Sequence, residues 1–517
     1  MSAPPRRTVV VAVSAASIPV LGVASFEIAA VSIRDAFGVS TLTVQIAFTV
    51  PAATSMLLVF VAGLLVRRVD ALRMVRWSAL VSVGSLIIVA VAPSLAILSA
   101  GRAFGAISAG MLAVAGLGIL QQVFPEAKSR ARVFGLLASV APAITLTTPT
   151  IAGILIDRIS WRAVPVVLAI VLAALASLTL RLPPVVHHPK DDESHVRAEW
   201  VTPLLAGVGL AALVGAVIAI PVSVPVSFLL GGTFLVVTTV TVALWRRATS
   251  PGLDVTALRQ PAMAAIIAAT ALTSIVNFAF FAAVWLQSQP GADVTTTALA
   301  LAIPQLVGIA GGIAGGRLAA KFGPYPVAIT AICLSVLGGF AYLTMTSNTS
   351  AWFVIASVAL VLAMMTAAAG PLTQIFFERV PAGMEGSAAA WRTVTRTVAT
   401  AAGGILVVMF VTTVYRSSVA GALEQQGISA DTAAAVAADL QGRVPVGTIT
   451  DRFQLPDNVI ADMSSENPVL RQLARSDAMG AAGIFTISTN ALAAVALVIA
   501  YRRRSRSPGL QVPRPQD

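Results

Sequence analysis

One carboxylate, Glu27, falls deep inside an apolar run of this chain, where an acid is costly unless it does chemistry. Hydrocarbon favours the protonated form of such a carboxyl and access to water favours the ionised form. Glu27 therefore suits loading and releasing a proton as its access changes. The plainer reading is a structural acid, hydrogen-bonded to a neighbouring backbone or hydroxyl group. Arg102 lies within another apolar run and needs an acceptor: Glu27, a backbone carbonyl, an anionic substrate group or a water in a proton relay. Arg392 and Arg396 are four residues apart and share one helix face. They either line a cavity or snorkel to the headgroups nearest their end of the helix. Asn277, Gln305 and Gln374 supply amides within apolar runs of the C-terminal half, as cavity contacts or interhelical hydrogen bonds. Phe278, Phe280 and Phe281 fit a cavity wall or a lipid face equally well.

The elements that must position these residues are hydrophobic spans of about twenty residues, the length that crosses a bilayer core. Charged residues make up 11% of the chain and the mean hydropathy is +0.89, so the 517 residues read as a series of spans rather than as soluble domains. Fourteen spans are expected, among them 8–33, 43–66, 95–123, 132–156, 351–377, 387–414 and 478–501. Arg6 and Arg7 before the first run resemble a signal peptide, but the run is long and lacks a small-residue cleavage site. It is read as an uncleaved first span. An even count puts both termini on one side. With the termini inside, inner segments carry Arg67, Arg68, Arg73, Lys128, Arg130, Arg181, Arg246, Arg317, Lys321, Arg379 and Arg502, while short outer loops carry only Arg34, Arg158 and Arg162. That asymmetry predicts a multi-pass protein of a bacterial inner (plasma) membrane with cytoplasmic termini.

Residues 1–180 then form one six-helix bundle and 181–200 a cytoplasmic connector. Residues 201–245 read as an inserted helix pair, 246–501 as a second six-helix bundle and 502–517 as a cytoplasmic tail. An extracytoplasmic loop, 416–477, interrupts the second bundle with eight acidic and five basic residues. It reads as a solvated linker with a short helix at 429–441, the alternative being a structured cap or partner-binding element. Asn467 and Pro468 read as the N-cap and first residue of the last helix.

Several function classes fall away. The single Cys333 and three histidines supply no metal cluster, and no nucleophile–base set or P-loop occurs, so an enzyme or a direct ATP-driven pump is not expected. The +12 charge is scattered over connectors rather than gathered on one face, which argues against nucleic acid.

Motifs narrow the reading. Gly63 followed by Arg67, Arg68, Asp70 and Arg73 sits between spans two and three, and Gly316-Arg317 with Lys321 and Gly323 sits between spans ten and eleven. This pair resembles the duplicated signature loop of the major facilitator superfamily. Arg102 in LSAGRAFGAISAG resembles its span-four arginine motif. Gly135, Pro149 and Gly153, with Asp157 and Ser160-Trp161-Arg162, resemble the antiporter motif of drug exporters. SFEIAAVSIRDAFGVS, with Glu27 where an aspartate is usual, resembles the first-span motif of the fourteen-span drug:proton antiporter family. Leu286-Gln287, Pro304 and Arg396 also fit that family. The chain departs from it at Arg67 and Ala320, where the loops usually hold aspartate, and at Asp70, where they hold glycine. It departs again at Gly105, Ala106, Ile144 and Thr148. The missing aspartate normally latches the inner ends of the two bundles.

The resemblance implies an all-α integral membrane fold of two six-helix bundles plus an extra helix pair. It implies efflux of a small hydrophobic or lipid-like substrate among membrane lipids, driven by the proton gradient without a bound cofactor. Glu27 and Arg102 would couple protons, and the signature-loop and antiporter-motif residues would gate. An exporter of lipid or cell-envelope precursor, handing cargo to an extracytoplasmic partner through 416–477, is one alternative. A non-transporting scaffold or sensor is another.

Overall fold

The computed structural model describes residues 6–39, 41–124, 126–183, 200–220, 223–247, 261–275, 294–346, 349–380, 385–441, 446–453, 455–464 and 469–504. The first seven helices are α1 (Arg6–Phe37), α2 (Thr41–Thr54), α3 (Val59–Arg68), α4 (Ala71–Ala90), α5 (Leu95–Val123), α6 (Ala127–Arg158) and α7 (Ala163–Thr179). A peripheral pair follows, α8 (Val201–Ala219) and α9 (Val224–Arg247). Then come α10 (Pro261–Ser274), α11 (Val294–Phe322), α12 (Pro324–Leu343), α13 (Ala351–Glu378) and α14 (Glu385–Gln425). Three short helices, α15 (Ala430–Gln441), α16 (Val446–Arg452) and α17 (Asp457–Ser464), lead to α18 (Val469–Arg504). Among the described residues, eight helices are long and apolar enough to cross a membrane, or nine with the bent first helix, alongside three shorter apolar ones.

Local chemistry explains where the spans begin and break. Asp70 caps α4 by accepting the Leu72 N–H at 3.2 Å, and Ser350 accepts the Phe353 N–H at 3.3 Å at the start of α13. The first span bends by 49° at Pro19, which has no N–H to give to the preceding turn. The second span, expected as one helix over 43–66, is broken at Ser55–Leu58. Pro51 lies one turn before the break. The Ser55 hydroxyl is turned back to Ala52 O at 2.8 Å, and the Thr54 hydroxyl reaches Ala103 O on α5 at 3.1 Å. The freed backbone groups tighten into short turns, Met56 N to Ala53 O and Leu57 N to Thr54 O, both at 3.1 Å. Glycines let neighbours close over this irregular stretch. A Cβ on Gly110 would stand 2.6 Å from Ser55 O, and one on Gly207 of α8 would overlap Leu57 O.

Helices α1, α4, α5, α6 and α7 pack on one another, as do α10, α11, α12, α13, α14 and α18. These two groups meet through α6 with α11 and α13, and through α3 and α5 with α14. The peripheral pair is asymmetric: α8 packs on α2, α3 and α14, whereas α9 packs on α8 and buries only Thr241 of its own side chains. Exposed Trp77, Ile170, Phe228, Leu229 and Trp352 give the outside the apolar surface that lipid requires.

The expected solvated linker is a folded element. Helix α14 runs on to Gln425 instead of ending at 414, and α18 begins at Val469 instead of 478. Between them Val419, Leu423, Val436, Leu440, Ile449, Val459 and Met463 form a separate buried core. The charge content of the segment hid apolar residues at helical spacing, Val419 with Leu423 and Ala433 with Val436 and Leu440, which bury one face and leave the charges in water. The short helix expected at 429–441 is α15; Asn467 and Pro468 lie outside the described residues. Because this core is self-contained, Leu423→Asp should open the cap alone, since an unpaired carboxylate does not survive in an apolar interior. Proteolytic cleavage within 426–464 should rise at least tenfold while the thermal transition of the membrane helices holds. A lowered transition would show instead that the cap supports the bundle.

Candidate functional site

The start of α1, the end of α18 and the last turns of α3, α5, α11 and α13 lie at one end of the described helices, with Arg6, Arg73, Lys128, Arg317, Lys321, Arg379 and Arg502. At this basic end the two groups of helices are sealed together by glycines. A Cβ on Gly135 of α6 would lie 2.5 Å from Gly316 Cα and 2.8 Å from Gly312 O on α11, and one on Gly370 of α13 would lie 2.9 Å from Gly135 Cα. A Cβ on Gly63 of α3 would lie 2.7 Å from Gly386 O on α14. Helices come this close only where side chains are missing. Aromatic pairs flank both contacts: Phe134 stacks on Phe377 at 5.6 Å, and Phe60 meets Trp391 at 4.6 Å. The amide of Gln374 donates to Ala127 O across the junction at 3.4 Å and to Glu378 Oε1 at 2.9 Å. Arg130, on the facing helix, is pulled below the usual arginine range by burial, and the Glu378 carboxylate opposes that shift. Among the described residues the half of the second span far from the basic end, α2, packs on α1, α5 and α8, while the half near it, α3, packs on α14. The junction is thus closed at the basic end.

The gating residues read from the sequence fare differently. Gly63 and Gly135 are at the seal, and Asp70 caps α4. Gly153, the antiporter-motif glycine, meets nothing within 4 Å of an added Cβ, so no close helix contact is made there. The side chains of Arg67, Arg68 and Pro149 lie outside the described residues. Gln374, read as a cavity residue, belongs to the seal.

Toward the opposite end, Arg102 of α5 is held between two aromatic faces, its guanidinium carbon 4.3 Å from the Phe26 ring centre and 4.2 Å from that of Phe48. The two rings are edge to face at 6.3 Å. Such a clamp on a half-buried arginine is worth about 0.5–2 kcal/mol per ring and holds the charge without neutralising it. Phe26 immediately precedes Glu27, so the clamp brings Arg102 to the part of α1 that carries the acid. The Glu27 side chain itself lies outside the described residues, as does Asn277 with the phenylalanines at 278–281.

Arg392 does not snorkel. It is 9% exposed and donates through Nε and Nη2 to Thr373 Oγ1 on α13 at 3.1 and 2.6 Å. Arg396, one turn further from the basic end, is exposed, and Gln305 on α11 is buried. Three participants were missed. Phe48 and Thr373 carry no signal in a linear reading, because an arginine's partners are set by helix packing. Asn490 does carry one, an amide in the last apolar span. It is 0% exposed, with neither amide atom hydrogen-bonded among the described residues.

Comparison with known proteins agrees with this architecture. A sequence model of the Major Facilitator Superfamily matches residues 11–404. The Multidrug resistance protein Stp of Mycobacterium tuberculosis is 27% identical over 319 residues, 60% of this chain and 58% of Stp. The chain therefore matches less than two thirds of that relative's length. The Multidrug efflux pump LfrA of Mycolicibacterium smegmatis is 27% identical over 390 residues, 73% of this chain and 75% of LfrA. Among solved structures, the proton:xylose symporter XylE bound to 6-bromo-6-deoxy-D-glucose superposes with a TM-score of 0.58 at 11% identity, covering 96% of this chain and 95% of that one. A bacterial homologue of the iron transporter ferroportin in its outward-facing state gives 0.53 at 11% identity, covering 95% and 99%. At that identity the structural likeness carries the fold alone.

Proposed function

Because the chain belongs to the Major Facilitator Superfamily, and so is a multi-pass membrane transporter rather than an enzyme, we propose that it exports hydrophobic or amphipathic compounds by proton-driven alternating access. In this reading fourteen spans form two six-helix bundles with an extra pair at 201–245, in a plasma membrane with both termini cytoplasmic. The bundles rock about a midplane cavity, no cofactor is required, and the proton gradient supplies the energy. The observation that carries it is the seal at the basic end, where two groups of helices touch through glycine backbone, with side-chain contacts such as Phe134 on Phe377 and Phe60 on Trp391 to separate when it opens. The relatedness to two efflux proteins supports the outward direction of transport. Glu27 takes and releases the proton, and Arg102, fixed by its aromatic clamp, supplies a charge whose attraction depends on the protonation of the acid. Glu378 and Gln374 replace at the seal what the signature loops lack.

The folded cap favours one variant of this reading, export of a lipid or envelope precursor that the cap passes to an extracytoplasmic partner. Proteoliposomes with an imposed pH gradient and a compound panel test the proposal: uphill movement that collapses with the gradient is expected. Absence of gradient-driven movement for every compound would overturn it. Topology is tested with Cys333 removed and cysteine placed at Ser417 or Ser507. An impermeant reagent added to intact cells should label the first and spare the second.

A further inference from the structure

Resting on that reading, we infer that the transported compound is an amphipathic anion, whose carboxylate or phosphate is received by Arg396. Four charged side chains fall within the apolar spans discussed above, Glu27, Arg102, Arg392 and Arg396, and three are arginines, which do not lose their charge. Two of the three are accounted for: Arg102 is clamped by Phe26 and Phe48, and Arg392 is bound to Thr373. Arg396 is not. Among the described residues no ion pair and no hydrogen bond is formed by its guanidinium.

Its position says where that charge points. Arg396 stands eleven residues into α14, about 16 Å along the axis at about 1.5 Å per residue, near the middle of a core about 30 Å thick. A bare guanidinium at that depth cannot face lipid. It lies on the same helix face as Arg392, which is buried against the central helix α13, and one turn further from the sealed end. The Arg396 side chain is exposed, one helical turn from the buried Arg392. An exposed arginine at that depth, one turn past the seal, points to the space between the two helix groups rather than to lipid. An exposed cation there, unpaired among the described residues and backed by a second, repels organic cations and attracts an anionic group. A guanidinium also meets carboxylate or phosphate through two parallel N–H bonds. The apolar walls of the spans take the rest of the molecule.

The test uses the full chain in detergent and fluorescence titration with four probes. These are 11-(dansylamino)undecanoate, its methyl ester, an NBD-labelled lysophosphatidate, and ethidium as a lipophilic cation. The anion should bind at least tenfold tighter than its ester, and tighter than ethidium. Arg396→Gln should bring the acid-to-ester ratio toward one, and Arg396→Lys should retain most of it. Preference for lysophosphatidate would assign a lipid-phosphate headgroup, and preference for the dansyl acid a free carboxylate; either supports the inference. Equal binding of acid and ester, tighter binding of ethidium, or a folded Gln variant with the ratio intact would overturn it. Elution volume and melting temperature establish that the variants are folded. The outcome is separable from the transport reading. If ethidium is driven uphill by a pH gradient while the acid gains nothing over its ester, the exporter stands and the anionic substrate falls. If Arg396 selects the anion but no gradient moves any probe, the reverse holds.

Discussion

Glu27→Gln should reduce pH-gradient-driven accumulation of substrate in proteoliposomes at least a hundredfold, to the level of empty liposomes, while downhill exchange of the same substrate continues. Glutamine keeps the length and hydrogen-bonding capacity of glutamate but carries no transferable proton, so the variant holds one protonation-like state in both conformations. A cycle that must bind a proton on one face and release it on the other then has nothing to carry. The protein should remain folded, because Phe26 and Phe48 hold the Arg102 guanidinium at 4.3 and 4.2 Å, contacts that the substitution leaves in place. That separation makes the measurement sharp. Undiminished uphill accumulation by Glu27→Gln would remove the residue from coupling, and loss of downhill exchange as well would mark it as a structural acid.

How much of this could be read in advance depended on whether the information was local. Span length, the basic asymmetry of the connectors and the glycines at 63 and 135 are local signals, and they led to the fold and to two of the contacts that seal it. The partners that close the basic end were not local. The loop glycines Gly63 and Gly316 are visible beside Arg67 and Ala320, but nothing near them announces that Gly370 and Gly386 would meet Gly135 and Gly63, or that Gln374 would reach Ala127 across the junction. Arg392 misled for the same reason. Its distance from the start of α14 suits snorkelling, and only the packing of α13 supplies Thr373 as an acceptor. The cap failed differently, because its charges were weighed and the helical spacing of its small apolar residues was not. The break at Ser55–Leu58 was legible in Pro51, Thr54 and Ser55, but an apolar run of span length outweighed them.

Gly135→Val tests whether the glycine seal is a moving part or merely a packed one. A side chain at 135 would begin 2.5 Å from Gly316 Cα and 2.8 Å from Gly312 O and Gly316 N, all backbone that cannot rotate away. Overpacking of this kind costs about 1–3 kcal/mol or more, enough to shift a balanced two-state equilibrium about five- to more than a hundredfold from the sealed form. Transport should fall at least tenfold. A cysteine at the buried Ser139, whose hydroxyl bonds Gly135 O at 3.0 Å, should become reactive from the basic side in a Cys333-free background. Gly153→Ala is the matched control on the same helix: an added Cβ meets nothing within 4 Å, so it should transport at nearly the parental rate. The contrast separates two accounts of the glycines. If both substitutions impair transport alike, the residues matter for the flexibility of α6. If only Gly135→Val does so and Ser139→Cys becomes reactive with it, the closed end opens by parting backbones at Gly135. If Ser139→Cys stays protected while transport is lost, the seal is no gate, and access to the cavity from the basic side must come by another path.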